Sequence, residues 1–438
     1  MKVAIVGGGF MGLTLAHKLS RINVVAKVIE RDGQVGGLAT YHNYGKFYWD
    51  RFYHVILPTD EYLIDLIEEL GLGSELCWQR TYTGYYEKGN FYSVSNLKEF
   101  LLFPPLNIID KIRLAITLYY GSKINNWKRL ETISVVDWLI KIGGKKTFQK
   151  FWKPLLLAKL GDNYSKVSAV FIWTYIKRLF HARDASSRKE HMGYVKGGYK
   201  TILERMTDNI QARGSEIILN ADVKSIVADP AGGLMINYNG KVEHFDKVIF
   251  TAPLKVLKKV ASANLYELSK GEKEVEYLGV ICMVLITRKP VSPYYVLNIS
   301  DNQIPFTGVI GMSSLVDLDQ TSGEFLTYFP KYITSDDPIW SKTEDELKQL
   351  FIKGAKLLYP QLSDNDIVSI HINKAMKVQP LQVIDYSKTI PEIQTNHPDF
   401  YVLNTSQFVN DTLNNNTVTK HVSRFMEKFQ SVVDSVLV

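Results

Sequence analysis

The first dozen residues contain the pattern that most restricts the fold of this chain. Gly7, Gly9 and Gly12 follow a short, mainly apolar run, Lys2–Val6, and precede a segment with the apolar spacing of a helix. In such a strand–turn–helix unit, the first glycine permits a tight turn and the second lets a pyrophosphate approach the backbone. The third lets the helix pack on the strand. The free N–H groups at the helix start attract an anion. The pattern therefore predicts an α/β fold with a parallel sheet around a bound dinucleotide.

The next predicted strand indicates which dinucleotide is bound. It ends at Glu30, 18 residues after Gly12, where a carboxylate can accept hydrogen bonds from both ribose hydroxyls. A second glycine pair, Gly36–Gly37, follows six residues later, and Arg31 adds a nearby cation. Glycines remove the Cβ atoms that would block a long cofactor. The second pair therefore favours FAD, whose ribityl chain and flavin extend beyond the pyrophosphate, over NAD.

Length and composition limit the remaining possibilities. A chain of 438 residues with 46% hydrophobic and 22% charged residues is typical of a globular protein with more than one core. A net charge of +7 is compatible with an anionic substrate or a membrane surface. No nucleic-acid motif is present, and no His, Cys, Asp and Glu cluster has metal-ligand spacing, so neither partner is predicted. Two isolated cysteines indicate a reducing compartment, so we expect a cytoplasmic protein.

The order of predicted elements divides the chain into alternating segments. Residues 1–76, 193–254 and 377–438 are expected to form a Rossmann-like FAD-binding domain with a small β-hairpin layer. The hairpin is predicted at Leu234–Tyr238 and Lys241–Phe245, around an Asn-Gly turn. Residues 77–192, mostly helical, and residues 255–376, a sheet with a helix, are expected to form an α+β substrate domain. The flavin should lie between the two domains.

Longer motifs resemble the flavin amine oxidase superfamily, which includes protoporphyrinogen oxidases, phytoene desaturases and monoamine oxidases. The similar segments are "GQVGGLAT", "GYVKGGYKTILERM", "ADVKSI" and "DKVIFTAP". Within the superfamily, "FWKPLLLAKLG", "SAVFIWTYIKRL" and "KVQPLQVIDY" are most similar to protoporphyrinogen-oxidase-like and phytoene-desaturase-like proteins of unassigned substrate. The resemblance implies a flavoprotein oxidoreductase whose substrate must be found by other means.

Two departures from the superfamily pattern bear on the chemistry. Asn404 stands where a glycine is usual, and Asn414–Thr417 leads into the last helix. The strand that carries a flavin-facing lysine in amine oxidases contains no lysine here, in "GVICMVLIT". Oxidation of an amine is therefore less favoured than oxidation at another carbon centre.

The glycine patterns and the resemblance together predict non-covalent FAD binding. The predicted cofactor-binding residues are Gly7, Gly9, Phe10, Met11, Gly12, Glu30, Arg31, Gly36, Gly37, Leu38, Ala39, Thr40, Val223, Thr251, Asn404, Asn415 and Val418.

The expected reaction is hydride transfer at a carbon of a small organic molecule, which demands few catalytic side chains. His54 is a candidate contact for flavin or substrate, and Lys159 is a candidate partner for an anionic substrate group. Each has the alternative of a purely structural role. Tyr82, Tyr85, Tyr86 and Tyr92 either line a pocket or pack within a hairpin.

Two other functions stay open. A redox-neutral reaction on a nucleotide sugar, as in UDP-galactopyranose mutases, requires arginines that converge on a pyrophosphate. Arg80, Arg178, Arg183 and Arg188 are available for this. A non-catalytic carrier of the Rab escort or GDI type is the third possibility, although the intact glycine patterns count against it.

One apolar stretch bears on whether the protein contacts a membrane. Leu101–Leu118 is expected to be a helix that either roofs a pocket or dips into a membrane interface. Peripheral contact with the inner face of a membrane therefore stays open. The sequence predicts no oligomeric state.

Overall fold

A computed structural model describes residues 1–95, 97–182, 191–266, 275–301 and 303–437. The helices are α1 Phe10–Arg21, α2 Glu61–Glu69, α3 Leu97–Leu102, α4 Ile108–Lys123, α5 Lys128–Glu131, α6 Val135–Gly143, α7 Lys145–Thr147, α8 Lys153–Leu160, α9 Ala169–Ala182, α10 Tyr199–Ala212, α11 Leu254–Val260, α12 Glu344–Leu358 and α13 Asn415–Leu437. The strands are β1 Lys2–Val6, β2 Val25–Ile29, β3 Tyr41–Asn43, β4 Tyr48–Asp50, β5 Leu76–Arg80, β6 Thr83–Glu87, β7 Asn90–Ser93, β8 His191–Val195, β9 Glu216–Ile218, β10 Val223–Ala228, β11 Leu234–Tyr238, β12 Lys241–Phe245, β13 Lys247–Phe250, β14 Tyr277–Thr287, β15 Val296–Ile299, β16 Gly308–Gly311, β17 Phe325–Ile333, β18 Ile367–Pro380 and β19 Phe400–Val402.

A five-stranded parallel sheet forms the first layer. Its strand order is β19-β13-β1-β2-β9, so strands from three distant parts of the chain lie side by side. Helices α1, α2, α10 and α13 cover one face, and the antiparallel strands β10–β12 cover the other. Such a sheet is buried on both faces, which explains the apolar strands in the sequence. The predicted α/β fold class is confirmed, and the hairpin β11–β12 has the predicted limits.

A seven-stranded mixed sheet forms the second domain, in the order β18-β14-β17-β16-β15-β6-β7. Ten of the eleven residues of its interior strand β14 are buried. Helix α12 packs on one face, and the other face packs against the β3–β4 hairpin of the first domain. Helices α4, α6, α8 and α9 form a separate apolar layer. The predicted α+β character of this domain is therefore confirmed.

Three of the four predicted domain limits fall within strands, and the limit 254/255 lies at the start of α11. The limits 76/77 and 192/193 lie in β5 and β8, which pair with each other as an antiparallel ribbon. The chain thus leaves the first domain and returns to it along one ribbon. The limit 376/377 lies inside β18, a long strand that we did not predict. The division into domains at these residues stays a prediction.

The expected single helix Leu101–Leu118 is wrong. Helix α3 ends at Leu102, and Pro104 and Pro105 separate it from α4. Proline removes a backbone donor and disfavours helical geometry in the residue before it, so the chain turns here. Asn107 then begins α4, because its side chain accepts a hydrogen bond from the Asp110 N–H at 2.8 Å.

An ion cluster joins α1 to α2 and gives a first prediction. Glu69 accepts hydrogen bonds from His17, Lys18 and Arg21 at 2.6–2.8 Å. Desolvation opposes the charged form of Glu69, but these hydrogen bonds outweigh it and hold its pKa well below the ordinary value near 4.5. The folded pKa is depressed. The cluster therefore stabilises the fold above the unfolded pKa, and this stabilisation is lost as the pH falls towards the folded pKa.

We expect Glu69→Gln to lower the free energy of unfolding by about 2 kcal/mol at neutral pH, the size of a lost charge-assisted cluster. Urea unfolding at neutral pH and near pH 3 measures the difference, which should shrink in acid. Glu68→Gln, on the exposed side of the same helix, is the matched control. Equal losses for the two variants would show that the cluster does not stabilise α2.

Candidate active site

Glycine is needed in the loop after β1 for two different reasons. A Cβ added to Gly7 would lie 2.7 Å from the Thr251 hydroxyl oxygen, and one added to Gly12 would lie 2.0 Å from the Gly7 carbonyl oxygen. These two glycines are required by contacts within the protein. A Cβ added to Gly9 would meet no described atom within 4 Å. Gly9 therefore faces open space at the start of α1, where the free N–H groups favour an anionic group.

The second glycine pair lies directly against this loop. The Gly36 N–H donates to the Gly8 carbonyl oxygen at 2.8 Å, and Gly36 pairs with Gly9 in a parallel bridge. Gly37 has a φ of +58°, and a Cβ there would lie 3.2 Å from the Gly9 Cα. We call residues 7–12 together with Gly36 and Gly37 the glycine cradle. Both glycine patterns of the sequence thus line one site, as a long dinucleotide requires.

Glu30 is fixed at the edge of the glycine cradle. Its Oε2 accepts a hydrogen bond from the Gly8 N–H at 2.6 Å, and its Oε1 accepts one from the Asp32 N–H at 2.8 Å. Each carboxylate oxygen has a further lone pair, so Glu30 can still accept hydrogen bonds from ribose hydroxyls. The neighbouring Arg31 is exposed, and its Nε lies 3.4 Å from Asp32 Oδ1. Arg31 therefore pairs with Asp32 at the surface.

The remaining predicted residues around the cradle have different surroundings. Phe10 and Met11 are buried at the start of α1, and Leu38 is partly exposed. Ala39 and Thr40 are buried, and the Thr40 hydroxyl has no hydrogen-bond partner among the described residues. A buried hydroxyl without a partner is costly, and a cofactor oxygen nearby would satisfy it.

One predicted residue, Thr251, supports the cradle from behind, and Val223 lies further away on β10. The Thr251 hydroxyl donates to the backbone carbonyls of Val6 and Gly7, at 3.1 and 3.0 Å. Thr251 thus fixes the end of β1. Val223 is buried at the start of β10, where it pairs with Tyr238.

The C-terminal part of the site is built from asparagines. Asn404 is buried, and its Oδ1 accepts hydrogen bonds from the Ser406 N–H and hydroxyl. Its amide therefore holds the turn after β19. Asn414 caps α13 by accepting from the Thr417 N–H at 2.9 Å. The neighbouring Asn415 Nδ2 is buried and has no hydrogen-bond partner among the described residues.

His54 lies between the cradle and the second sheet. Its ring packs on Tyr199 at a centroid distance of 4.6 Å, and the Tyr199 ring contacts Phe10 at 5.7 Å. His54 Nδ1 lies 3.4 Å from Asp50 Oδ2. Asp50 is almost fully buried, and its Oδ1 accepts a hydrogen bond from the Tyr199 N–H at 2.8 Å. We did not predict a role for Asp50 or for Tyr199, although Tyr199 lies within the segment "GYVKGGYKTILERM".

Tyrosines form the side of the site that faces the second sheet. The hydroxyls of Tyr53 and Tyr332 lie 2.8 Å apart in a hydrogen bond. Burial raises the pKa of Tyr332 to about 12 and that of Tyr53 well above its usual value. Both side chains nevertheless keep some accessible surface. Their hydrogen bond joins the segment that carries His54 to strand β17 of the second sheet.

Comparison with known proteins places this geometry in a family. A family model described as flavin containing amine oxidoreductase matches residues 11–373.

The chain belongs to the flavin-containing amine oxidoreductase family.

One relative of this family member is an oxidase of the predicted type. The chain is 23% identical to protoporphyrinogen oxidase 2, chloroplastic/mitochondrial, of Arabidopsis thaliana, over 91% of this chain and 88% of that protein. Membership of the family, with this relative, shows an FAD-dependent oxidoreductase. The predictions of FAD and of an enzyme are confirmed, and the carrier alternative loses support. The matches leave the substrate unidentified.

Two solved structures share the fold of this family member. A candidate protoporphyrinogen oxidase from an Exiguobacterium species aligns with a TM-score of 0.77 and 15% identity, over 98% of each chain. Reduced UDP-galactopyranose mutase aligns with a TM-score of 0.72 and 15% identity, over 98% of this chain and 95% of that one. At such identities the likeness shows the fold alone.

The site of this flavin oxidoreductase fits FAD. Gly9 leaves room for a pyrophosphate, Glu30 is fixed where a ribose would lie, and Asn415 offers an unpaired amide at the start of α13. FAD, when bound, accepts a hydride at its flavin ring. The protein supplies the binding groups, the orientation and the exclusion of water.

The other described candidate residues have separate partners. Lys159 is exposed on α8, and its ammonium lies 4.8 Å from the centroid of the Tyr175 ring. Arg80 lies over the ring of Tyr82, at 5.1 Å, and Arg178 forms an ion pair with Asp60. Arg183 and Arg188 lie outside the described residues. The two described arginines have different partners, which does not favour a common pyrophosphate site.

Three of the four tyrosines predicted to line a pocket or pack in a hairpin belong to the β6–β7 hairpin. Tyr85 and Tyr86 are buried in β6, and Tyr92 follows in the paired strand β7. Tyr82 precedes the hairpin and is partly exposed.

Proposed function

We propose that this FAD-dependent oxidoreductase takes a hydride from a carbon of a small organic molecule held between the glycine cradle and the second sheet. FAD is proposed to be bound without a covalent link. The supporting observation is the hydrogen-bonded phenol pair, Tyr53 and Tyr332, which joins the segment that carries His54 to strand β17 of the second sheet.

The phenols of this pair are suited to donate hydrogen bonds to a bound substrate. A tyrosine hydroxyl is already neutral at physiological pH, and burial raises the pKa of both phenols and of Tyr295 further. Neutral phenols donate hydrogen bonds and exclude water, but they are poor bases. A substrate on this side can therefore lose a C–H hydrogen to the flavin as a hydride without help from these groups.

His54 is the better placed of the two candidate catalytic residues. Its side chain is about one-fifth exposed and packs between Asp50 and Tyr199. We infer that it orients either the substrate or the flavin ring. Lys159, which is exposed on α8, stays a candidate for an anionic substrate group at the rim.

A reductive half-reaction tests the function. The purified holoprotein is mixed anaerobically with protoporphyrinogen, the substrate named in its oxidase relative, and the visible absorbance of the flavin is followed. Bleaching supports hydride transfer, and reoxidation by oxygen then identifies an oxidase. In a parallel assay, prereduced protein that isomerises UDP-galactopyranose without consuming reductant would overturn the proposal in favour of the mutase alternative.

We expect His54→Gln to slow flavin reduction about ten- to a hundredfold while FAD affinity stays unchanged, because one positioned group is lost. Stopped-flow reduction and FAD titration separate the two effects. His244→Gln is the matched control, since His244 is exposed on the β12 hairpin. If both variants are reduced at the parental rate, His54 has only a structural role.

The location of the protein in the cell is also a proposal. Within the described residues, no helix combines the length and the apolar character needed to cross a bilayer. A cytoplasmic protein in peripheral contact with a membrane is proposed, and the contact depends on one face of α4.

A further inference from the structure

Helix α4 is oriented with its apolar side outward. Its buried residues are Asp110, Lys111, Leu114, Thr117, Gly121 and Ser122, most of which are polar or small. Its isoleucines point away from the protein: Ile108 is 63% exposed, Ile112 54% and Ile116 53%. A surface helix of a globular protein normally shows the opposite arrangement. The outward side of α4 is therefore suited to contact an apolar partner rather than water.

The neighbouring residues extend this apolar surface. We define the α4 outer face by its exposed apolar side chains: Leu101, Leu102, Ile108, Ile109, Ile112, Ile116, Tyr119 and Tyr120. The α4 residues recur along one side of the helix, and the hydrogen bond from the Lys111 ammonium to the Leu101 carbonyl oxygen brings the end of α3 next to α4. Other exposed apolar residues, such as Val242 and Leu357, occur on separate elements. A contiguous patch of this kind marks an interaction site, whereas single exposed residues do not.

The charge around the face points to an anionic partner. The segment 97–150 contains ten Lys and Arg residues and four Asp and Glu residues, so its net charge is +6, against +7 for the whole chain. Two of its four acids, Asp110 and Glu131, are buried. Almost all of the excess positive charge of the protein therefore lies in the segment that carries the apolar face.

Several of these cations lie beside the face. The Lys123 ammonium is 5.5 Å from the centroid of the Tyr119 ring. The Arg113 guanidinium lies against Gly144, and the exposed Lys145 and Lys146 follow directly at the start of α7. Apolar side chains bordered by flexible cations are typical of helices that lie in the plane of a membrane interface.

We propose that the α4 outer face docks on a bilayer that contains anionic phospholipids. Helix α4 lies along the surface, its isoleucines and tyrosines enter the boundary between headgroups and acyl chains, and the cations contact lipid phosphates. A second copy of the chain is a poorer occupant. In a two-fold symmetric dimer the same surface of each copy faces the other, so two strongly positive segments would be brought together.

Vesicle co-sedimentation of the holoprotein tests the proposal. We expect binding to vesicles of equal parts phosphatidylglycerol and phosphatidylcholine, and much weaker binding to pure phosphatidylcholine. Because ion pairing contributes, raising the salt to about 0.5 M should weaken binding about tenfold. Ile112→Asp/Ile116→Asp should weaken binding to the anionic vesicles by at least about tenfold, since it removes apolar contacts and adds charge.

Two further variants keep the test decisive. Leu357→Asp changes a leucine of similar exposure, 52%, on α12 and should bind as the parent does. Lys145→Glu/Lys146→Glu leaves the apolar face intact and should lose only the preference for anionic lipid. Unchanged binding by the Ile112/Ile116 variant overturns the proposal. The proposal is also overturned if the parent protein does not bind the vesicles. If the parent is then a dimer and the Ile112/Ile116 variant is a monomer, the face is a contact between copies of the chain.

Discussion

Gly9→Ala is expected to fold with the thermal stability of the parent protein and to lose its FAD. Gly9 has a φ of −67°, which alanine adopts without strain, and the new Cβ would meet no described protein atom within 4 Å. That space is where a pyrophosphate would approach the N–H groups of α1. Excluding the phosphates from these donors removes charge-assisted hydrogen bonds, so we expect FAD affinity to fall about a hundredfold, or about 3 kcal/mol.

Gly12→Ala is the matched comparison, because its Cβ would lie 2.0 Å from the Gly7 carbonyl oxygen. The backbone must move to relieve this contact, so this variant should lose thermal stability as well as FAD. Flavin absorbance of the purified protein and thermal unfolding of the FAD-free protein separate the two effects. Parental FAD affinity in Gly9→Ala would show that the dinucleotide does not lie over Gly9.

The cradle was predictable because its parts are close in sequence. Gly7, Gly9 and Gly12 fix a turn between adjacent elements, and Glu30 follows at the end of the next strand. The hairpin turn at Asn239 and Gly240 was predictable for the same reason: both residues have positive φ, at 49° and 75°, which Asn and Gly tolerate best. Local backbone chemistry determines these features, so the sequence reveals them without knowledge of the fold.

The substrate side was not predictable, because distant residues build it. Tyr53 and Tyr332 are 279 positions apart, and only the pairing of β17 within the second sheet brings their hydroxyls together. Asp50 likewise reaches the Tyr199 N–H across 149 positions. Strand β18 was missed because most of its residues are only partly buried and apolar alternation is confined to its middle, around Ile370 and Ile372.

Helix α4 shows a further limit of periodicity. The spacing of its isoleucines indicates an apolar face, but spacing alone does not say whether that face turns to the core or to the surroundings. Polar atoms decide the orientation here. Asn107 caps the helix, and the Lys111 ammonium donates to the Leu101 carbonyl oxygen at 2.5 Å. These contacts turn the lysine inward and leave the isoleucines outside.

Arg178→Met should lower the free energy of unfolding by about 3 kcal/mol at neutral pH, the cost of leaving a buried carboxylate without its cation. Arg178 Nη2 donates to Asp60 Oδ1 and Oδ2, at 3.2 and 3.0 Å, and thereby joins α9 to the start of α2. The Asp60 side chain is only 3% exposed. Burial raises its pKa above the ordinary value, although Arg178 and the Leu57 N–H act in the opposite direction.

The pH dependence of this variant follows from the sign of that shift. Without Arg178, the folded pKa of Asp60 rises further above its unfolded value near 3.8. A carboxyl group with a raised folded pKa stabilises the fold most below the unfolded pKa, and this contribution is lost as the pH rises through the folded pKa. The loss in free energy of unfolding caused by Arg178→Met should therefore be largest at neutral pH and shrink as the pH falls towards 4.

Two comparisons separate the buried charge from other causes. Asp60→Asn/Arg178→Met should recover much of the lost stability, because the amide oxygen still accepts from the Leu57 N–H, at 2.9 Å in the parent, and no buried charge remains. Lys166→Met removes the cation of an exposed pair with Glu276 and should change little. If the double variant is as unstable as Arg178→Met at every pH, lost packing of the arginine, rather than the charge of Asp60, accounts for the deficit.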